Sequence, residues 1–431
     1  MTSTSPTIPR HVIVRLTGVR PEEAGTVLLS AAYFFFVLSA YYVLRPIREA
    51  MGVAGGLENL PWLFTATLAA VLVAHPVFAA LVSRQPRRRF VTMTYRFFML
   101  CLLVFYILLS ALPEGGAGAI WVGRSFFPWL GVFNLFVVSV FWSFMTDIYR
   151  ERQSRRLFAL IGVGGTLGAV LGSSITAVLA GVLGPATLFW FSIVLLECAV
   201  RCVKGLDRRV GAGGAASAGR AGDEVIGGSA LEGIRRVLAS SYLMGICAFM
   251  LLFTIGSTFL YNIQADIVLR TFPDPAAHTG IFARIDLAIN TLTLLTQLFL
   301  TGHIVKRLGV GLTLAILPLL SIAGFLVLGA APVFAVFVVF QVLRRAGTFA
   351  VAGPMREVLY TVLPRRDKYK AKNFNDTFVY RAGDQVGAWS FAGMGYLGLG
   401  TAAMAWSMVP VAGMWLLVAL WLGRRQRGLA G

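Results

Sequence analysis

The chain has 431 residues, of which 57% are hydrophobic and 13% are charged. Soluble domains carry about 25% charged residues, so this composition excludes an ordinary soluble protein. The net charge of +19 is typical of nucleic-acid-binding proteins, but the basic residues lie in short loops between apolar runs, so we expect no nucleic acid as a partner.

Apolar runs of about 20 residues recur along the chain, and this is the length that an α-helix needs to cross a bilayer. The sequence therefore predicts an all-α, polytopic membrane protein with about twelve transmembrane helices. The spans predicted in the first half are 24–44, 60–82, 90–112, 126–148, 157–182 and 185–203. Those predicted in the second half are 241–262, 281–303, 311–331, 333–360, 374–398 and 401–422.

The loops between these runs alternate between basic and nearly uncharged. "SRQPRRRF" (83–90) and "YRERQSRR" (149–156) are basic, whereas "LPEGGAGA" (112–119) contains no Lys or Arg. Loops rich in Lys and Arg are retained on the cytoplasmic side, so the pattern predicts that both termini are cytoplasmic. We expect a multi-pass protein of the bacterial cell inner membrane.

A segment rich in Gly, Ala and Ser, at 204–236, interrupts the apolar pattern and is typical of a flexible linker. It separates an N-terminal half (1–203) from a C-terminal half (237–431). The halves echo each other weakly, since each places a basic loop before a Gly-containing fifth helix. Two pseudo-symmetric six-helix halves joined by a cytoplasmic linker are the arrangement of major-facilitator-type transporters, and we predict that fold.

The sequence contains no G-x-x-x-x-G-K-[ST] phosphate-binding loop, and no arrangement of nucleophile and base stands out. Gly164, Gly168 and Gly172 recur every four residues within one predicted span, which favours close helix packing over phosphate binding. We interpret the cysteines as buried thiols, because no further metal ligands lie near them in sequence: Cys101, Cys198, Cys202 and Cys247. We therefore expect no catalytic site, no metal and no cofactor.

Several arginines lie in or beside the predicted spans, where burying a charge is expensive. Arg96 and Arg124 lie near helix ends and can extend to the membrane surface, and Arg270 can pair with Asp266 one turn before it. Arg344 and Arg345 resist this explanation, because they lie about 12 residues into the tenth predicted span, near the centre of the bilayer. Buried arginines usually face an aqueous cavity or an ionic partner. The arginines predicted to bind substrate are Arg45, Arg48, Arg344, Arg345, Arg356 and Arg381.

The first of these groups follows the first apolar run, in "YYVLRPIREAMGV" (41–53). Arg45, Arg48 and Glu49 share one helical face, because they are separated by three and four residues. Two guanidinium groups on one face suit the oxygens of a phosphate or a carboxylate. The alternative is an interfacial salt bridge with Glu49 or Glu58.

Acidic residues in the spans are candidates for coupling or gating. Asp384 shares a face of the eleventh span with Arg381. It either neutralises Arg345 or Arg381 as a structural lock between helices, or exchanges partners as a gate. The residues predicted to couple or gate are Glu49, Glu357 and Asp384. Further possible proton carriers are Asp147, Glu197, Asp266 and Asp286.

Three stretches resemble the non-mitochondrial nucleotide transporter family, which includes the ATP/ADP translocases of plastids and obligate intracellular bacteria. These stretches are "YYVLRPIREAMGV", "FNLFVVSVFWSF" and "GPMREVLYTVLPRRDKYKAKNFNDTFVYRAGDQVGA". The resemblance implies a twelve-helix, facilitator-like exchanger. It also implies that Arg48, and Arg356 beside Glu357, occupy the family's basic positions. Where the nucleotide exchangers have acidic residues, this chain has Asn134 and either Tyr261 or Asn262, so the resemblance supports the fold more directly than nucleotide specificity.

These features together predict a secondary active transporter for an anionic, phosphorylated metabolite that works by alternating access, with nucleotide exchange as the leading specific function. One alternative is a proton-coupled facilitator for another solute, such as a drug, a peptide-like compound or a carboxylate. Another is a non-transporting membrane scaffold or lipid-handling protein. The expected partners are a small anionic solute and the lipid bilayer, and we expect a monomer.

Overall fold

The computed structural model describes residues 19–84, 87–113, 115–149, 151–212, 237, 239–364, 371–372 and 374–430. Every regular element in this part of the chain is helical, and a short 3-10 helix, Leu57–Asn59, joins the first two long helices. The first six helices are α1 (Pro21–Ala54), α2 (Leu60–Arg84), α3 (Arg87–Ala111), α4 (Ala117–Ile148), α5 (Glu151–Leu183) and α6 (Leu188–Ala212).

The later helices are less regular than the earlier ones. α10 contains a π-helical turn, Thr348–Ala352, between Phe334–Gly347 and Gly353–Leu359, and α11 opens with a π-helical turn, Asn375–Val379. Such turns frequently occur at functional sites. The last six helices are α7 (Ser241–Thr271), α8 (Pro275–Phe299), α9 (Thr301–Ala330), α10 (Phe334–Leu359), α11 (Asn375–Val379 and Tyr380–Tyr396) and α12 (Thr401–Ala430).

Ten of the twelve helices in the described ranges are long and apolar enough to cross a membrane. The other two have identifiable departures. α6 carries Glu197, Arg201 and Lys204 within its length, and the regular part of α11 has only 17 residues. The prediction of an all-α, polytopic membrane protein is confirmed.

α1 extends ten residues beyond the predicted end of the first span at residue 44. The helix continues through Pro46 to Ala54, so Arg45 and Glu49 lie within it and are both buried. The apolar pattern placed the end too early because it treated these charges as a boundary. The structure instead pairs them with opposite charges inside the protein, which lowers the cost of their burial.

α6 continues to Ala212, so residues 204–212 of the predicted linker are helical. Residues 213–236, the rest of that linker, lie outside the described residues. The division into two halves at 204–236 therefore stays a prediction. For description, we call α1–α6 the first bundle and α7–α12 the second bundle. We call the side on which α1 begins and α12 ends the termini side, and the opposite side the far side.

The glycine stripe of α5 packs against the backbone of α1, as predicted. A Cβ atom on Gly168 would lie 2.2 Å from the carbonyl oxygen of Phe35, and one on Gly172 would lie 2.4 Å from that of Ser39. No side chain fits at these distances, so the glycines allow the two helices to approach closely. In the second bundle, Gly383 of α11 likewise faces the side chain of Thr254 on α7. The fifth helix of each bundle thus packs on the first by the same device.

The two bundles meet through an apolar cluster on the far side. Val53, Leu60 and Phe127 from the first bundle pack in one buried cluster with Phe259 and Ile289 from the second. Just beside this cluster, the rings of Trp62 and Trp389 meet edge to face with centroids 4.9 Å apart. The hydroxyl of Thr65 also donates to Gln385 Oε1 at 2.8 Å. These contacts join α2 to α11 on the far side of the space between the bundles, and we call them the far-side seal.

Candidate functional site

A cavity of about 730 Å³ lies between the two bundles. Its walls come from α1, α2, α4 and α5 of the first bundle and from the equivalent helices α7, α8, α10 and α11 of the second. It reaches from Arg48 and Phe64 near the far-side seal to Arg356 and Asp376 toward the termini side. Because the cavity takes the same four helices from each bundle, it lies on the interface between the bundles, and in folds built from internal repeats this interface is where a small solute can be held.

The cavity wall is strongly basic. It contains all six arginines that the sequence analysis nominated, and the only carboxylates among its described lining residues are Asp376 and Asp384. It also contains many aromatic side chains. These are Tyr41, Tyr42, Phe64, Phe127, Phe253, Tyr261, Phe349 and Tyr380.

One buried carboxylate is shared by two of the arginines. Asp286 on α8 accepts from Arg45 Nη1 at 2.6 Å and from Arg345 Nη1 at 3.0 Å, both at its Oδ1 atom. Arg45 belongs to α1 and Arg345 to α10, so the three side chains link the first bundle to two helices of the second. The sequence indicates Asp286 only as one of the possible proton carriers. Its position as an acid in the apolar α8 suggests a buried partner, but the two partners lie about 60 and 240 residues away and cannot be identified from the sequence.

Arg48 makes the salt bridge that was considered as its alternative role. Its Nη2 atom lies 2.6 Å from Glu49 Oε1, and Glu49 is also 3.6 Å from Arg45 Nε. Glu58, the other proposed partner, instead accepts from its neighbour Asn59. Arg48 nevertheless lines the cavity, with its guanidinium carbon 4.7 Å from the centre of the Phe127 ring. Its Nε–H group is buried without a hydrogen-bond acceptor among the described residues.

Arg344 is the most deeply buried of the six arginines, with 2% of its surface exposed. It donates from Nε to Ser321 Oγ at 3.0 Å and from Nη1 to Ser257 Oγ at 3.1 Å. A longer contact of 3.3 Å runs from Nη2 to the carbonyl oxygen of Phe253. Within the described ranges no carboxylate lies within ion-pair distance of it, and all its acceptors are neutral.

Arg356 and Arg381 lie on the termini-side part of the wall. Arg356 is 3.6 Å from Asp376, and its Nε–H group has no acceptor in the part of the chain that the structure describes. Arg381 Nη1 donates to Asp384 Oδ2 at 3.3 Å, and Asp384 Oδ1 accepts from Thr258 at 3.0 Å. Of the two partners considered for Asp384, the structure thus selects Arg381, since Arg345 pairs with Asp286.

Glu357 is separated from the site. It forms a 2.6 Å ion pair with Lys372, its side chain is 46% exposed, and it does not line the cavity. Successive helical residues differ in direction by roughly 100°, so Arg356 can face the cavity while Glu357 faces away. The structure therefore gives no support to Glu357 as a coupling residue.

The two neutral positions noted in the sequence also reach the cavity. Asn134 and Tyr261 both line it, and the Tyr261 ring packs edge to face on Phe64 with centroids 5.4 Å apart. Asn262 is buried and donates to the carbonyl oxygen of Thr258 instead. Of the two α7 residues considered at this position, Tyr261 is therefore the one that a bound solute can contact.

The arrangement is similar to that of solved transporters. The chain shares 13% identity with a D-xylose–proton symporter at a TM-score of 0.63, over 92% of this chain and 96% of that one. It shares 15% identity with an autoinhibited POT-family peptide transporter at a TM-score of 0.61, over 93% and 96% of the chains. The chain has the major-facilitator fold.

A third solved structure is also similar to this chain. A bacterial homologue of the human lysosomal transporter Spinster, in an inward-facing and unoccupied conformation, shares 12% identity at a TM-score of 0.53, over 96% and 97% of the chains. Comparison with protein-family models and with curated proteins gives no match. The likeness therefore establishes the major-facilitator fold, and the resemblance to nucleotide transporters remains a prediction from the sequence.

Proposed function

We propose that this protein is a secondary active transporter that moves an anionic, phosphorylated metabolite across the membrane by alternating access. The observation that carries the proposal is the imbalance of charge in the cavity wall, where six arginines face two carboxylates among the described residues. Arginine binds phosphate through paired N–H groups, and a cavity between two bundles is where such a substrate would be held.

The contacts between the bundles support a rocking mechanism. The far side is closed by Trp62 with Trp389 and by Thr65 with Gln385, while the cavity extends toward the termini side. In the proposed cycle, residues 1–203 and 237–431 move as two halves joined by 204–236. Breaking the far-side contacts and forming new ones on the termini side would expose the cavity to the opposite compartment.

We propose nucleotides as the specific substrates, transported by exchange. A nucleotide presents phosphates and a flat base, and the cavity offers arginines beside aromatic rings such as Tyr41 and Phe253. Aromatic rings favour offset or edge-to-face contacts with another ring system. Asn134 and Tyr261 would supply neutral hydrogen-bonding groups. We further propose a monomer in the bacterial inner membrane with both termini cytoplasmic, whose contacts are the solute and the lipid.

A proton-coupled facilitator for another solute is the second candidate. The observation in its favour is Asp384, which is buried to 7% exposure at the cavity wall between Thr258 and Arg381. A buried carboxylate that can exchange an arginine partner is suited to carry a proton.

Counterflow into proteoliposomes separates these candidates. Vesicles would be loaded with unlabelled ADP, and uptake of radiolabelled ADP, glucose 6-phosphate or xylose would be measured with a pH-sensitive dye inside. Uptake of a phosphorylated solute that depends on internal ADP would support exchange. Uptake of xylose with internal acidification would favour the proton-coupled alternative. If no labelled solute enters faster than into protein-free vesicles, a scaffold or lipid-handling role becomes the better explanation.

A further inference from the structure

We propose that the cavity selects a ligand with two negative charges close together, such as a phosphate monoester, over an otherwise identical ligand with one. We further propose that Arg344 is the residue that sets this preference. The inference rests on the proposed function, because it names the charge class of the anion that the same cavity would bind.

The charges around the cavity do not balance. Two of the lining arginines have a carboxylate of their own, since Arg356 pairs with Asp376 and Arg381 pairs with Asp384. Arg45, Arg48 and Arg345 together have two carboxylates, because Glu49 lies beside Arg45 and Arg48, and Asp286 lies beside Arg45 and Arg345. Arg344 has none among the described residues. The described residues of the site thus carry a net charge of +2 when every group is ionised.

The two uncompensated charges reach the cavity at neighbouring positions of α10. One belongs to Arg344, and the other is shared by a group of three arginines and two carboxylates that includes Arg345. Arg344 and Arg345 are consecutive on α10, and both line the cavity. A ligand that neutralises both would therefore carry its two charges within a short distance. A single phosphoryl group in its dianionic form meets this requirement.

Arg344 is placed to receive an anionic oxygen. Its hydrogen bonds go to two hydroxyls and one carbonyl, and a guanidinium has more N–H groups than these contacts use. One of the acceptors, Ser257, also lines the cavity, so the charge lies at the surface of the cavity and not behind it. An arginine at membrane depth without a carboxylate is costly, which is why such residues usually mark a binding path.

A purely structural explanation exists for Arg344 and must be separated from binding. Its guanidinium carbon lies 5.7 Å from the centre of the Phe253 ring and 5.9 Å from that of Trp415. Attraction to the two ring faces offsets part of the cost of burial. If this were the whole role of Arg344, its removal would lower stability but would leave the choice between dianion and monoanion unchanged.

Phenyl phosphate and phenyl sulfate provide a matched test. They have nearly the same shape, and at about pH 8 the first carries two charges because the second pKa of a phosphate monoester is about 6. Their affinities for the purified full-length protein in detergent would be measured by isothermal titration calorimetry. We expect phenyl phosphate to bind about 10- to 150-fold more tightly, which is the value of one charge-assisted hydrogen bond.

Variants of Arg344 test whether this residue sets the preference for phenyl phosphate over phenyl sulfate. In Arg344→Gln, we expect affinity for phenyl phosphate to fall by about 10- to 150-fold and affinity for phenyl sulfate to change little, so that the preference is lost. Arg344→Lys, which keeps the charge, should retain the preference. Arg96→Gln, at an exposed position of α3 outside the cavity, is the matched control and should behave as the unmodified protein.

Thermal melting would confirm that each variant is folded. If Arg344→Gln does not fold, the ratio of the two ester affinities in the unmodified protein still tests the dianion inference, and loss of the preference in Arg344→Lys would contradict the role of charge at this position. Equal affinity for the two esters in the unmodified protein would overturn the dianion inference while leaving anion transport intact. Retention of the full preference in Arg344→Gln would overturn the assignment of that preference to Arg344. Binding of neither ester would also overturn the dianion inference, and the counterflow assay would decide the proposed function independently.

Discussion

Arg45 on α1 and Asp286 on α8 form an ion pair of 2.6 Å that joins the two bundles beside the cavity. Asp286 also holds Arg345 on α10, so a single carboxylate restrains two arginines that both reach the cavity wall. An anion bound to those arginines would compete with Asp286 for the same N–H groups. Binding of such an anion would therefore be linked to the contact between the bundles through one acidic side chain.

Asp286→Asn is predicted to destabilise the protein and to increase its response to anions. The substitution leaves Arg345 without a carboxylate and leaves Arg45 with only its longer contact of 3.6 Å to Glu49. Breaking a buried ion pair costs about 3–5 kcal/mol. Inorganic phosphate should restore part of the lost melting temperature, because it replaces the missing charge and binds the folded state. Scanning fluorimetry with and without phosphate would measure both effects.

The matched control for this prediction is Glu197→Gln. Glu197 pairs with Arg201 at 3.7 Å on the surface of α6, and the Arg201 side chain is 78% exposed. Exposed pairs contribute about 0–1 kcal/mol, so this variant should melt close to the unmodified protein. An Asp286→Asn variant that melts like the control would show that the shared carboxylate does not hold the bundles together.

Asp384→Asn is predicted to abolish transport while leaving expression near normal. Asparagine still accepts from Thr258, so the local packing survives, but Arg381 loses its charged partner. A carboxylate that gates or carries a proton cannot be replaced by a neutral amide. Initial uptake rates in proteoliposomes would be compared at equal amounts of reconstituted protein. Transport at the unmodified rate would exclude both the gating and the proton-relay roles.

Much of this architecture could be predicted from the sequence, because a membrane-spanning helix requires a local run of about 20 apolar residues. The spacing of Gly164, Gly168 and Gly172 indicated the close contact between α5 and α1 that the structure shows. The location of six arginines on one cavity also followed from a local argument, since an arginine in an apolar span needs a polar environment.

The partners of those arginines could not be predicted in the same way. Asp286 and Arg45 are 241 residues apart in the sequence, and no local sequence pattern indicates that they are in contact. The surroundings of Glu357 could not be predicted either. Its position beside Arg356 suggested a shared role, but adjacent residues on a helix point in different directions, and Glu357 pairs with Lys372 at an exposed site.

The topology prediction is that residue 116 faces the periplasm and residue 213 faces the cytoplasm. It rests on the alternation of loop charge, since the segment around Gly116 lacks Lys and Arg while 204–236 contains several. Fusions of alkaline phosphatase and of green fluorescent protein at Gly116 and Gly213 would report the two compartments. Phosphatase activity from the Gly213 fusion would contradict the arrangement of two halves around a cytoplasmic linker.

Gly168→Ala is predicted to lower the melting temperature, with Gly181→Ala as its control on the same helix. The new Cβ atom on residue 168 would lie 2.2 Å from a backbone oxygen of α1, so α5 must move away. Overpacking of this kind costs about 1–3 kcal/mol. A Cβ atom added at Gly181 would have no neighbouring atom within 4 Å, so alanine there should leave the melting temperature unchanged or slightly raised. Equal melting temperatures for the two variants would refute the close packing of α1 on α5.

Arg48 and Arg356 are predicted to bind the same anion at different depths of the cavity. Arg48 lies near the far-side seal and Arg356 toward the termini side, and each has a buried Nε–H group without an acceptor among the described residues. Each is also paired with a carboxylate that an incoming anion could replace. An alternating-access cycle would allow the anion to pass from one arginine to the other.

The variants of these two arginines should form an ordered series. Lysine keeps the charge but loses the paired N–H geometry, so Arg48→Lys and Arg356→Lys should weaken ADP uptake partially. Alanine removes the charge-assisted contact, which is worth about 1.5–3 kcal/mol, so apparent affinity should fall by roughly 10- to 150-fold. Circular dichroism would confirm folding before uptake is compared. If both alanine variants fold and transport ADP with unchanged apparent affinity, their carboxylate pairs are structural, and the anion must be held by other residues of the cavity wall.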